Sequence, residues 1–162
     1  MKFSTQEEYG LRCLLRIYKS KSPNGLTIPE ISQMEGLTIA NTGKLLRALR
    51  LGGFIESTRG QTGGYKLSHP ASEIIIGEVL AVLGGRLFEA DFCADHSGSE
   101  LICAHTIDCS IRSLWRTVQV LIDGVLGKVT LKDLAGSETE VHSIATIFAE
   151  NTEAGLPKDQ FN

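Results

Sequence analysis

The chain has 162 residues, enough for one compact domain with extra length or two small lobes. Apolar residues make up 42% of it, sufficient for a core, but no run approaches the ~20 apolar residues that span a bilayer. The opening MKFSTQEEYG has no hydrophobic signal region, so a soluble, cytoplasmic protein is expected.

The net charge of −3 argues against a nucleic-acid binder until the chain is divided. Residues 1–70 carry ten Lys/Arg against five Asp/Glu, and residues 71–162 carry six against fourteen. A polyanionic partner is therefore expected to meet the front half.

In chain order, residues 5–20 have the apolar spacing of an amphipathic helix, through Tyr9, Leu11, Leu14, Leu15, Ile17 and Tyr18. Ser4 with Glu7, or Thr5 with Glu8, can form its capping box. Cys13 lies on the apolar stripe as a small buried hydrophobe. SPNG, residues 22–25, is a turn. Thr27 and Glu30 form a second capping-box pair, with Pro29 in the first turn where a missing N–H costs least.

That helix runs to Glu35, and Gly36 supplies a tight turn. Thr38 caps a third helix to Leu51, which turns Leu45, Leu46 and Leu49 inward and ends at Gly52-Gly53. FIEST (54–58) and YKLS (65–68) are short strands joined by the loop RGQTGG. Two helices, a turn, a third helix and a hairpin form the order of a winged helix-turn-helix.

In such a unit the start of the second helix faces base edges, here Thr38, Asn41, Thr42 and Lys44. Arg47 and Arg50 follow, within reach of phosphates. On the hairpin, Arg59 next to Gly60 suits a minor groove, with Lys66 behind it.

GEVLAVLGG (77–85) predicts a short helix ended by glycines, and 86–110 a loop. The loop holds Cys93, Cys103 and Cys109, together with His96 and His105. In a cytosolic chain three clustered thiols point to metal binding or redox sensing rather than structural disulfides. Thiolates are the usual ligands of iron–sulfur clusters. Zinc and a thiol–disulfide switch remain alternatives, though structural zinc favours close C-x-x-C pairs and none occurs here.

Leu114, Trp115, Val118, Leu121, Ile122 and Val125 then mark a helix whose broad apolar face calls for a partner, either its own core or a second copy in a homodimer. TLKDL (130–134) starts a short closing helix, and the tail from about 150 is polar. The expected fold is mainly α with a small β-hairpin wing. Residues 1–70 form the DNA-binding domain, 71–136 the cysteine loop and dimer helix, and 137–162 a tail. No P-loop, G-x-S-x-G or H-E-x-x-H is present, so no enzyme is expected. An iron–sulfur electron carrier is a further class, disfavoured by the winged-helix order.

Four stretches resemble the IscR/NsrR superfamily of iron–sulfur-cluster winged helix-turn-helix transcription regulators, over about residues 1–136. They are MKFSTQEEYGLRCLL, RGQTGGYKLS, IIIGEVLAVLGG and CSIRSLWRTVQVLIDGVLGKVTLKDL. The resemblance implies a homodimeric regulator of a double-stranded DNA operator, with a 4Fe–4S cluster, or alternatively 2Fe–2S, beside the dimer helix. It places the cluster cysteines at Cys93, Cys103 and Cys109. IscR-type members carry a histidine where this chain has Arg112, which stays protonated and cannot be a ligand. NsrR-type members recruit a carboxylate from the first helix of the other subunit, at the position of Glu8 here. His105 is the alternative fourth ligand, with His96, Asp91 and Asp95 behind it. Relatives often carry a large residue, glutamate included, at the position of Gly43, so their target sequences do not transfer.

Overall fold

The computed structural model describes residues 3–20, 22–58, 63–89, 92–97, 103 and 108–144. It is mostly helical with one two-stranded antiparallel hairpin, as the sequence leads one to expect. α1 spans Thr5–Lys19. Of its two possible caps the chain uses Ser4, whose hydroxyl accepts from the Glu7 amide while the Glu7 carboxylate accepts from the Ser4 amide. α2 spans Ile28–Glu35 behind the Thr27–Glu30 box. Gly36 follows with φ +66°, a left-handed conformation that a side chain would strain. α3 spans Ile39–Leu51, with Thr38 accepting from the Asn41 amide at 3.2 Å.

β1 (Ile55–Ser57) and β2 (Tyr65–Leu67) pair with Glu56 opposite Lys66. The hairpin base is tied to the α1–α2 connection. The Leu26 amide donates to the Tyr65 carbonyl at 3.0 Å, and the Tyr65 amide donates to the Leu26 carbonyl at 2.7 Å. A side chain at Gly64 would stand 2.7 Å from the Leu26 backbone, so this approach requires glycine.

α4 (Ile76–Gly84) packs on α1 and α3. One core joins Leu14 of α1, Ile31 of α2, Leu46 and Leu49 of α3, Ile55 of β1, and Val79 of α4. A four-residue helix, α5 (Phe92–Asp95), lies within the predicted cysteine loop.

α6 (Ser110–Leu126) leaves this body. The chain then returns, as Ile76 N–H bonds the Val129 carbonyl at 2.9 Å and Leu131 N–H the Ile74 carbonyl at 2.8 Å. α7 (Leu131–Leu134) thereby buries Leu131 in the same core. A further helical stretch, 138–144, opens what the sequence suggests is only a tail. Among the described residues no helix is long and apolar enough to cross a membrane.

Candidate nucleic-acid interface and thiol segment

The turn between α2 and α3 is fixed by Ser32, whose hydroxyl donates to the Leu37 carbonyl at 2.6 Å while its own carbonyl accepts from the Leu37 amide. α3 thus presents one outer face with Ile39, Ala40, Lys44, Arg47 and Arg50 exposed and Asn41 and Gly43 half-buried. Lys44, Arg47 and Arg50 make no ion pair among the described residues, so their charge is available to phosphates. Thr38 serves as the helix cap and remains exposed.

Thr42 is a correction. It is 0% exposed, on the inner face with Leu45, Leu46 and Leu49, and its hydroxyl has no hydrogen-bond partner among the described residues. A side chain buried there cannot read a base. Lys66 is exposed and pairs across the hairpin with Glu56 at 3.1 Å. Arg59 and Gly60 lie outside the described residues.

One feature of this region escapes sequence reasoning. Glu35, the last residue of α2, has a side chain only 7% exposed, and two arginines of α1 grip it. Arg12 Nε donates to Oε2 at 3.0 Å and Arg16 Nε to Oε1 at 2.6 Å, while Arg12 Nη2 donates to the Glu35 backbone carbonyl at 2.7 Å. Burial pushes the Glu35 carboxyl up, but the hydrogen bonds and charges of Arg16 and Arg12 outweigh this and hold it below the usual glutamate range. The clamp joins α1 to the turn that aims α3.

The thiols occupy different settings. Burial, with a smaller effect of Glu35, pushes the Cys13 thiol up to about 11, consistent with an inert packing role. Cys93, Cys103 and Cys109 are half-buried, and no cysteine among the described residues is in a disulfide. Cys93 sits on α5, where the Phe92 ring packs between Phe88 (5.1 Å) and His96 (4.1 Å). His96 is turned to its own helix, its Nδ1 lying 2.8 Å from the Phe92 carbonyl. Cys109 caps α6, its Sγ accepting from the Arg112 amide at 3.3 Å.

Among the described residues no three cysteine, histidine or carboxylate side chains are gathered closely enough to hold a metal ion. The donor types suit an iron–sulfur cluster, but assembling one requires the Cys93, Cys103 and Cys109 thiols to come together. Glu8 is exposed and takes no part in the helix cap. Asp95 is exposed, and His105 and Asp91 lie outside the described residues.

The thiol segment is fastened to α6 by Gln119, the one buried residue of that helix. Its Oε1 accepts from the Phe88 amide at 2.9 Å and its Nε2 donates to Asp123 at 2.8 Å, and Asp123 also pairs with Arg86. The apolar face of α6 is uncovered in its first half, with Leu114 56% and Trp115 36% exposed, while Val118, Leu121, Ile122 and Val125 are half-buried. Beside it a groove of about 660 Å³ runs between the start of α1, α4 and α6.

Residues 3–137 match the family model Rrf2, described as an iron-dependent transcriptional regulator. The protein rrf2 of Nitratidesulfovibrio vulgaris is 34% identical over 134 residues, covering 83% of this chain and 87% of that one. The regulator IscR of Escherichia coli is 26% identical over 138 residues, covering 85% and 82%. Among solved structures, CymR, the global cysteine regulator of B. subtilis, superposes with a TM-score of 0.62 at 27% identity, covering 83% of this chain and 96% of that one. The oxidized form of Staphylococcus aureus CymR gives 0.61 at 29%, covering 85% and 98%.

Proposed function

The chain belongs to the Rrf2 family of transcriptional regulators, and from that membership we propose that it binds a double-stranded operator as a homodimer, under the control of an iron–sulfur cluster held by Cys93, Cys103 and Cys109. In this reading residues 1–70 meet DNA, residues 71–136 carry the thiols and the dimer helix, residues 137–162 form the tail, and the protein works in the cytoplasm. The DNA contacts fall to Thr38, Asn41, Lys44 and Arg47 on α3, and to Arg59, Gly60 and Lys66 on the hairpin.

The observation that carries this reading is the placement of three half-buried thiols along a segment pinned to α6, the helix with the uncovered apolar face. A cluster bound there, of the 4Fe–4S type or alternatively 2Fe–2S, supplies a centre that oxygen, nitric oxide or iron shortage can dismantle. Glu8 of the second protomer is proposed as the fourth ligand, since Ser4 and Glu7 take the cap and leave its carboxylate in solvent. The Arg12–Glu35–Arg16 clamp holds α1 to the turn before α3, so a displacement of α1 carries the whole DNA-reading lobe with it.

The test is an anaerobic absorption spectrum with iron and sulfide counts, followed by operator binding before and after the cluster is stripped. A coloured protein whose affinity changes on stripping supports the reading. A colourless protein with stoichiometric zinc, or equal affinity in both states, refutes it.

A second reading, a thiol switch, is supported by the likeness to CymR, one of whose structures is of the oxidized form. Two thiols would give up two protons and two electrons to an oxidant such as a peroxide and form a disulfide. Peroxide-dependent DNA binding by iron-free protein, abolished in the Cys93→Ser or Cys103→Ser variant, would select it.

A further inference from the structure

We propose that Ile39 is a specificity-determining residue, reading thymine methyl groups in the major groove, and that Gly43 lets α3 settle deep enough for it to do so. The inference rests on the reading of α3 as the DNA-contacting helix. Ile39 opens α3 and is 61% exposed, although the helix has a well-filled core face formed by Thr42, Leu45, Leu46 and Leu49. A branched aliphatic side chain left in water gains nothing for the fold. Ile39, Ala40, Gly43 and Arg47 lie within one helical face.

Gly43 is also unexplained by the fold. A Cβ built there meets only Ile28 Cδ1, at 4.0 Å, so alanine would fit. Its backbone does not take the left-handed conformation that needs glycine. Glycine weakens a helix interior, and nothing among the described residues requires it at this position.

The charge around this face names its occupant. Lys44, Arg47 and Arg50 are exposed beside it and form no ion pair among the described residues, which suits a polyanion. On the major-groove edge of DNA the apolar feature is the C5-methyl of thymine. A recognition helix with an aliphatic residue at its entry and no side chain one turn later can press its backbone toward the bases and bury such methyls.

The test uses a duplex enriched by the wild-type protein from a random-sequence pool. Each thymine in turn is replaced by deoxyuridine, which removes one methyl and leaves pairing intact. At one or two positions per half-site the wild-type affinity should fall about fourfold, the effect of one buried methyl group. Ile39→Ala should bind thymine and uracil versions equally at those positions, and Ile39→Val should keep the discrimination. Gly43→Ala should melt higher than wild type yet bind the duplex at least about tenfold more weakly.

If Ile39→Ala retains the wild-type preference at every position, the assignment of Ile39 is overturned. Wild-type affinity in Gly43→Ala overturns the close approach. Failure of the wild-type protein to enrich any duplex overturns the reading of α3 itself.

Discussion

Replacing Glu35 with glutamine should loosen the junction between α1 and the helix-turn-helix in a way that acid makes invisible. The carboxylate is nearly buried and accepts at 3.0 and 2.6 Å from guanidinium groups that are themselves 40% and 43% exposed. A hydrogen bond to a charged group contributes about 1.5–3 kcal/mol, while an ion pair with exposed partners contributes about 0–1 kcal/mol. Water can re-solvate both arginines, and the Arg12 bond to the backbone carbonyl survives, so the two interactions together should be worth about 2 kcal/mol.

For a chain of this size the melting temperature should then drop by about 6 °C at neutral pH. The folded carboxyl titrates below the usual glutamate range, so its contribution is complete above about pH 5 and drains away as the pH falls through and below about 4. Glutamine does not titrate. The wild-type and variant melting temperatures should therefore converge on acidification, followed by circular dichroism at a series of pH values. A gap under about 2 °C at pH 7, or one that persists unchanged into acid, would refute the clamp.

Thr42→Val should raise stability by about 1 kcal/mol in urea unfolding, because it replaces an unpartnered buried hydroxyl with a methyl of similar shape, and operator affinity should not change. Lower stability would show that the hydroxyl is satisfied in solution. Gly36→Ala should cost about 1–2 kcal/mol through its left-handed backbone alone, since no atom lies within 4 Å of the added carbon, and the same unfolding assay measures it. Leu114→Glu should leave the winged-helix core folded but shift sedimentation to that of a monomer, and a variant that stays dimeric would remove α6 from the interface.

The helices were legible because their ends are spelled out in short range. Ser4–Glu7, one of two caps open to α1, and Thr27–Glu30 are capping pairs three residues apart, and both form, while a third such pair, Thr130–Asp133, goes unread in the sequence. α5 was not legible, since four residues are too few for any apolar period to show. Thr42 was misplaced because polar residues early in a recognition helix invite a groove-facing assignment. Its spacing from Leu45, Leu46 and Leu49 already put it on the core stripe, and that periodicity was the better guide. Ile39 is passed over for the same reason, since an apolar residue opening a helix reads as core and only the fold shows it exposed. The Glu35 clamp joins residues 23 and 19 positions apart, so only the packed fold reveals it. The thiols are legible as residue types, but the Phe88–Gln119 bond that holds the start of their segment to α6 joins residues 31 positions apart, so only the packed fold reveals it.

The paired backbone bonds between Leu26 and Tyr65 limit how such a molecule can be controlled. They root the hairpin in the link between the first two helices, so hairpin base and recognition helix behave as the fixed jaws of a calliper. Opening those jaws would break this pair of backbone hydrogen bonds. Signalling is left with one freedom, the placement of the whole lobe. Responsive and silent forms should therefore overlay lobe for lobe, and differ only in where each lobe stands.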